Sequence, residues 1–166
     1  MYFFSKLAVE GVRIRQIKSS CCINGTWDPS PVIEFDPHGH MPSIEKHQST
    51  WLKPRNWQQG GYDIVQINVC DKSLRCVQVT RSSSHSFKTE HVEALLNQIK
   101  YVLLLDIQHL EIRFLIPTSS LESFVVEKPS YPGLFEEYHV FAKKPASRGK
   151  RAPKWTISKS ASLTDP

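Results

Sequence analysis

The sequence predicts an α/β fold: a mixed central sheet of about four strands with flanking helices, in the order helix, strand, strand, strand, helix, strand, then a disordered basic tail. Three observations predict it. Tyr62 to Val69 and Ser73 to Arg81 are β-branched runs, and the linker "CDKS" between them has the length of a hairpin connection. The period then changes, because Val92, Leu95, Leu96 and Ile99 fall at i, i+3, i+4 and i+7, the apolar stripe of an amphipathic helix. Finally, Leu110 to Pro117 alternates, with Ile112, Phe114 and Ile116 on one face and Pro117 as its stop. A helix joining the third strand to the fourth requires a crossover, which makes the sheet mixed.

The remaining elements follow in chain order. Phe3, Phe4, Leu7, Ala8 and Val12 have near-helical spacing and predict a short helix within residues 1–16. The stretch through Pro31, with "NGTWDPSP", reads as turns, and "VIEF" (Val32 to Phe35) reads as a short strand. "DPHGHMPSIEKH" is a loop by its Pro, Gly and Asp content, and "STWLKPRNWQQGG" leads through Pro54 and two glycines into the hairpin. Thr89 is the expected N-cap of the amphipathic helix. "LESFVVE" and "YHVFAKK" are weaker strand candidates. Residues 1–142 are thus read as one domain and 143–166 as a basic tail without periodicity.

Composition narrows the class. The chain has 166 residues, 40% apolar and 22% charged, which is the balance of a folded domain. No apolar run reaches the roughly 20 residues that span a bilayer, and the N-terminus lacks an ordinary signal peptide. The cysteines Cys21, Cys22, Cys70 and Cys76 show no C-x-x-C spacing, which argues against zinc or dithiol chemistry and for reduced thiols. Net charge is +5, concentrated in "AKKPASRGKRAPK", where Lys143, Lys144, Arg148, Lys150 and Arg151 stand without an acid. Such a block is either a solvated tail or a contact for nucleic acid or a nuclear-import receptor.

The candidate site lies on the hairpin. Asp63 opens the first strand just after the two glycines, while Gln78 and Thr80 share one face of the second. A carboxylate and an amide oxygen are hard donors suited to Mg²⁺. The same residues admit a plainer reading, in which Asp63 caps a turn, Gln78 satisfies a core hydrogen bond and His85 is a loop residue. "DPHGH", with Asp36, His38 and His40, lacks a further metal ligand at good spacing. Trp51 and Trp57 beside Lys53 and Arg55 are placed either to stack bases or to fill the core. The "SSSHS" run has no nucleophile-elbow pattern, and no glycine-rich phosphate loop exists.

Together, "WLKP", "NWQQGGYDIV", "CVQVTRSSSH" with Lys88, the helix, then "LEIRFLIP" and "LESF" resemble the C-terminal domains of Crinkler effectors and retrotransposon hot spot proteins. The matching residues are Trp51, Pro54, Asp63, Gln78, Thr80, His85, Lys88, Phe114, Pro117 and Phe124, and the resemblance covers residues 32–138. It implies a divergent PD-(D/E)xK, restriction-endonuclease-like core of helix, three-stranded meander, helix and strand. It implies that Asp63 and Gln78 hold Mg²⁺, with Gln78 at the acidic position of the pair and Thr80 where a lysine would stand. His85 and Lys88 would complete the catalytic set, with Glu10 a weak further acid, and Arg75, Arg81 and the basic tail would hold DNA phosphates. The expected activity is metal-dependent cleavage or binding of DNA in the nucleus, either of the cell of origin or of a host cell after secretion. The alternatives are an inactive nucleic-acid- or protein-binding module on the same fold, and a truncated fragment lacking an upstream header domain.

Overall fold

The computed structural model describes residues 2–18, 21–56, 60–120, 123–127, 139–140 and 154–162. The first helix, α1 (Tyr2–Val9), is shorter than the sequence predicts. Gly11 ends it with φ +74, and β1 (Val12–Lys18) begins at once. Val12 satisfies both patterns, for it continues the helical spacing of Phe3, Phe4 and Leu7 and starts a strand alternation with Ile14. The alternation prevails because β1 finds a partner in β2 (Cys21–Trp27), in register from Val12 opposite Trp27 to Lys18 opposite Cys21. The stretch read as turns is therefore largely strand.

β3 (Val32–Phe35) is where the sequence predicts it. It pairs in parallel with β4 (Ser49–Pro54), a strand the Pro-containing run concealed. β4, β5 (Ile64–Asn68) and β6 (Ser73–Val79) form an antiparallel meander. After a short β7 (Ser84–Ser86), α2 (Thr89–Val102) crosses over to β8 (His109–Leu115), which runs parallel to β6. The N-cap of α2 is Lys88, one residue before the predicted Thr89, which is itself buried. A 3₁₀ turn (Thr118–Ser120) leads to β9 (Val125–Glu127), paired with β7 in a separate two-stranded sheet.

The main sheet is mixed, with central order β8-β6-β5-β4-β3. Beyond β8 it continues through β11 (Lys154–Ser162), β1 and β2, and the two-residue β10 (His139–Val140) also pairs with β11. β11 lies in the stretch expected to be disordered, where it runs parallel to β8 and antiparallel to β1. The tail cations Lys143, Lys144, Arg148, Lys150 and Arg151 lie outside the described residues, as does Trp57.

Both faces of the central strands are buried, and the period-two alternation distributes the side chains between them. Leu52, Val65, Ile67, Leu74, Cys76, Ile112 and Phe114 meet Val92, Leu95, Leu96 and Ile99 of α2. On the other face Trp51, Ile64, Val77 and Leu115 meet Leu7 of α1, Val12, Ile14 and Trp27. Each fully buried side chain of this size contributes about 1.5–3 kcal/mol. The Trp27 and Trp51 rings lie 5.2 Å apart, so the far end of the sheet curls back over its own centre.

Gly11 permits that curl. A Cβ there would run into the backbone carbonyl of Trp27 and into Pro29, and φ +74 strains any other residue. Gly11→Ala is expected to cost about 1–3 kcal/mol, read as a lower urea midpoint with an unchanged m-value.

Candidate site at the Asp63 end of the sheet

Gly60 and Gly61 carry the chain beneath the first turn of α2. A Cβ on Gly60 would meet His91 Nε2 and Lys88 Cδ at 2.8 Å, and Gly61 has φ +95. Tyr62 then buries into the α2-side core, yet Ile64, two residues on, buries into the opposite one. A regular strand would put both on one face. The alternation breaks at Asp63, whose N–H donates to the Val77 carbonyl at 2.8 Å, although Ile64 is the residue in register with Val77. Two residues thus oppose one, the arrangement of a β-bulge.

The bulge decides what Asp63 does. Its Oδ2 accepts the Val79 N–H at 2.6 Å, satisfying a β6 donor just past the end of β5. The carboxylate also lines a cleft of about 240 Å³ with Phe3, Phe4, Lys53, Pro54 and Tyr62. Burial pushes the Asp63 carboxyl above the usual carboxylate range, while the Val79 N–H and the field of His85 act in the opposite sense. Lys53 does not neutralise it in this arrangement. Its Nζ is 2.7 Å from Glu34 Oε1, and that ion pair holds the Glu34 carboxyl below its ordinary value.

Asp63 lines its cleft with Phe3 and Phe4, which pack against the α1-side cluster, whereas Gln78 faces the α2 side. Gln78 is half-buried, alternates with Cys76 on the α2 side and stands in register with Phe114. Its Oε1 is buried with no hydrogen-bond partner among the described residues. His85 sits on β7 with its ring 5.9 Å from that of Phe114. Phe114 in turn packs on Phe87 and Phe124, which makes this aromatic group the floor of the α2 side. Thr80 is committed to structure: its N–H donates to Leu115 O at 3.0 Å and its Oγ1 accepts the Ser82 N–H at 3.1 Å. Lys88 is exposed at the start of α2, a helix whose N-cap makes no side-chain hydrogen bond, and Arg81 is exposed nearby in sequence.

Several candidates are elsewhere or otherwise engaged. Arg75 lies on the face opposite Gln78, bonded to Glu111 and Gln66. Trp51 is fully buried, in core rather than at a surface where bases stack. Asp36 Oδ1 accepts the His38 N–H at 3.0 Å, so "DPHGH" is a turn with both histidines exposed. Glu10 is exposed and pairs with Lys6 across one helical turn.

Among the described residues no group of three or more His, Cys, Asp or Glu converges as a metal centre. What this end of the sheet offers is one carboxylate, half committed to Val79, and the unpartnered amide oxygen of Gln78. Both are hard oxygen donors of the type Mg²⁺ takes, and Mg²⁺ makes up its shell with water and substrate phosphate. Sequence reasoning missed the cleft-lining Phe4 and Tyr62 and the Asp63–Val79 bond, because a bulge leaves no mark in composition. Comparison with protein-family models, with curated proteins and with solved structures finds no match for this chain.

The two roles of Asp63 separate by substitution. Its carboxyl is raised by burial, so the folded chain keeps this proton to higher pH than the unfolded chain. Between the two values the folded state binds more protons, and stability falls as pH rises. Asp63→Asn keeps an acceptor for Val79 without the charge, and is expected to flatten the stability profile above about pH 4. Asp63→Ala loses the acceptor and is expected to cost about 0.5–1.5 kcal/mol at neutral pH. Thermal melts of both variants from acid to neutral pH check this.

Proposed function

We propose that this chain is a Crinkler-type domain with a restriction-endonuclease-like core that engages the phosphodiester backbone of DNA at the Asp63 end of its sheet, in the nucleus. The observation that carries the reading is the buried Gln78 Oε1 on β6, which has no partner among the described residues. An unsatisfied buried acceptor costs about 1–3 kcal/mol, and a bound cation or donor removes that cost. The meander β4-β5-β6, helix α2 and parallel strand β8 supply the order such a core requires.

Asp63 and Gln78 would hold a divalent cation, which when bound supplies Lewis-acid stabilisation of a phosphoryl oxygen. The chain's own residues supply the rest. Lys88 and the uncapped first turn of α2 present positive charge and backbone N–H groups to a phosphate. His85, half-buried against Phe114, would serve as a base or a phosphate contact. Arg81 and the basic residues 143–151 add sequence-independent phosphate affinity and a surface for an import receptor.

A second reading, an inactive binding module on the same fold, is favoured by Thr80. The side chain standing where a catalytic lysine is expected is held in a turn with Ser82. One assay decides between them. The wild-type chain is expected to nick supercoiled plasmid with Mg²⁺ or Mn²⁺ and not with EDTA. Asp63→Asn should abolish nicking while DNA affinity at low salt stays within about threefold, and Lys88→Ala should reduce the salt slope of binding by about one. Metal-independent binding without nicking establishes the second reading. Absence of affinity for DNA or RNA removes both.

A further inference from the structure

On the sheet face opposite Gln78, a row of polar side chains crosses three strands. Gln66 of β5 is in register with Arg75 of β6, and Arg75 with Glu111 of β8. Arg113, two residues along β8, joins them on the same face. Arg75 Nη1 donates to Gln66 Oε1 and its Nε to Glu111 Oε2, both at 2.5 Å. Arg113 Nε and Nη2 both reach Glu111 Oε1 at 2.7 Å. Both guanidiniums also lie over the Trp27 ring, at 5.6 and 5.4 Å from its centroid.

The charges in this row do not balance. One carboxylate serves two guanidiniums, and both of its oxygens are already used. The side chain of Arg113 is only 9% exposed, and its Nη1 is buried without a hydrogen-bond partner among the described residues. Burial lowers the Arg113 pKa and the charge of Arg75 adds to that, while Glu111 holds the proton on. A buried charge with an open donor is a costly arrangement unless an acceptor completes it. The row lines a cavity of about 600 Å³, within the size range of small-ligand sites.

We propose that this cavity is a binding site for a small ligand bearing one oxyanionic group, a carboxylate or a phosphate, held by the guanidiniums of Arg75 and Arg113 that line it. The planar fork of a guanidinium matches either group. Asp28 and Asp71, both exposed, also line the cavity, and they disfavour a polyanion such as a nucleic-acid strand there. A compact ligand with a neutral or cationic remainder suits a lining that holds both guanidiniums and carboxylates. The cavity shares no lining residue with the Asp63 cleft, so the proposal stands apart from the function proposed above.

The test titrates the full chain with inorganic phosphate and with acetate, against sodium chloride at matched ionic strength, followed by backbone and indole NMR shifts. Saturable shifts centred on Arg75, Glu111, Arg113 and the Trp27 indole are expected for at least one probe, and the tighter probe tells phosphate from carboxylate. Arg113→Lys, which keeps the charge and loses the fork, is expected to weaken that binding at least tenfold. The wild-type shift map decides the matter even if that variant does not fold. No saturable shift with either probe, or shifts confined to Gln78, His85 and Lys88, overturns the proposal.

Discussion

Burial of the central strands on both faces is the constraint from which the rest of this structure follows. β5, β6 and β8 lie beneath α2 on one side and beneath α1, β1 and Trp27 on the other. Any polar side chain on them must therefore find a partner inside the protein or leave a group unsatisfied. Gln66, Arg75, Glu111 and Arg113 solve most of this problem among themselves, since register places them side by side. Gln78 Oε1, on the other face beside Phe114, has no such neighbour among the described residues. Asp63 is spared because it lies at the bulge, where the strand has ended and a backbone N–H needs an acceptor.

Much of this was legible where one physical signal dominated. The stripe Val92, Leu95, Leu96 and Ile99 predicted α2, and all four are buried. The alternation in Leu110 to Pro117 predicted β8, and the short polar linker predicted the hairpin of β5 and β6. The signals failed where tertiary contact overrides local pattern. Pro54 disguised β4, yet a proline is tolerable at the last residue of a strand. "CCINGTW" reads as turn by its Asn and Gly, but in-register pairing with β1 makes it strand. β11 has so little apolar content that only its neighbours β8 and β1 account for it.

At the candidate site, strand faces were more legible than geometry. Alternation correctly assigns Gln78 to the face of Cys76 and Arg75 to the other. It fails for Asp63, because a bulge changes the face without changing the sequence pattern. The charge of Arg75 suggests a phosphate contact, but Glu111 and Gln66 hold it in the structure. A clue was present in "LEIRFLIP", where Glu111 and Arg113 alternate against Ile112 and Phe114. Two opposite charges on one face of an otherwise apolar strand imply that the face is covered and the charges paired.

Three buried polar atoms lack partners among the described residues: Trp51 Nε1, Gln78 Oε1 and Arg113 Nη1. The same deficit does not carry the same meaning in each. Trp51 lies wholly within an apolar cluster and lines neither cleft described above, so its orphaned donor is a packing cost and nothing more. Gln78 offers a buried acceptor on the α2 face, so what completes it must donate or carry positive charge. Arg113 is a donor in a row of side chains where two guanidiniums share one carboxylate, so what completes it must be an acceptor. The shared strands β6 and β8 hold an unpartnered acceptor on one face and an unpartnered donor on the other, which makes the sheet itself the partition between the two deficits.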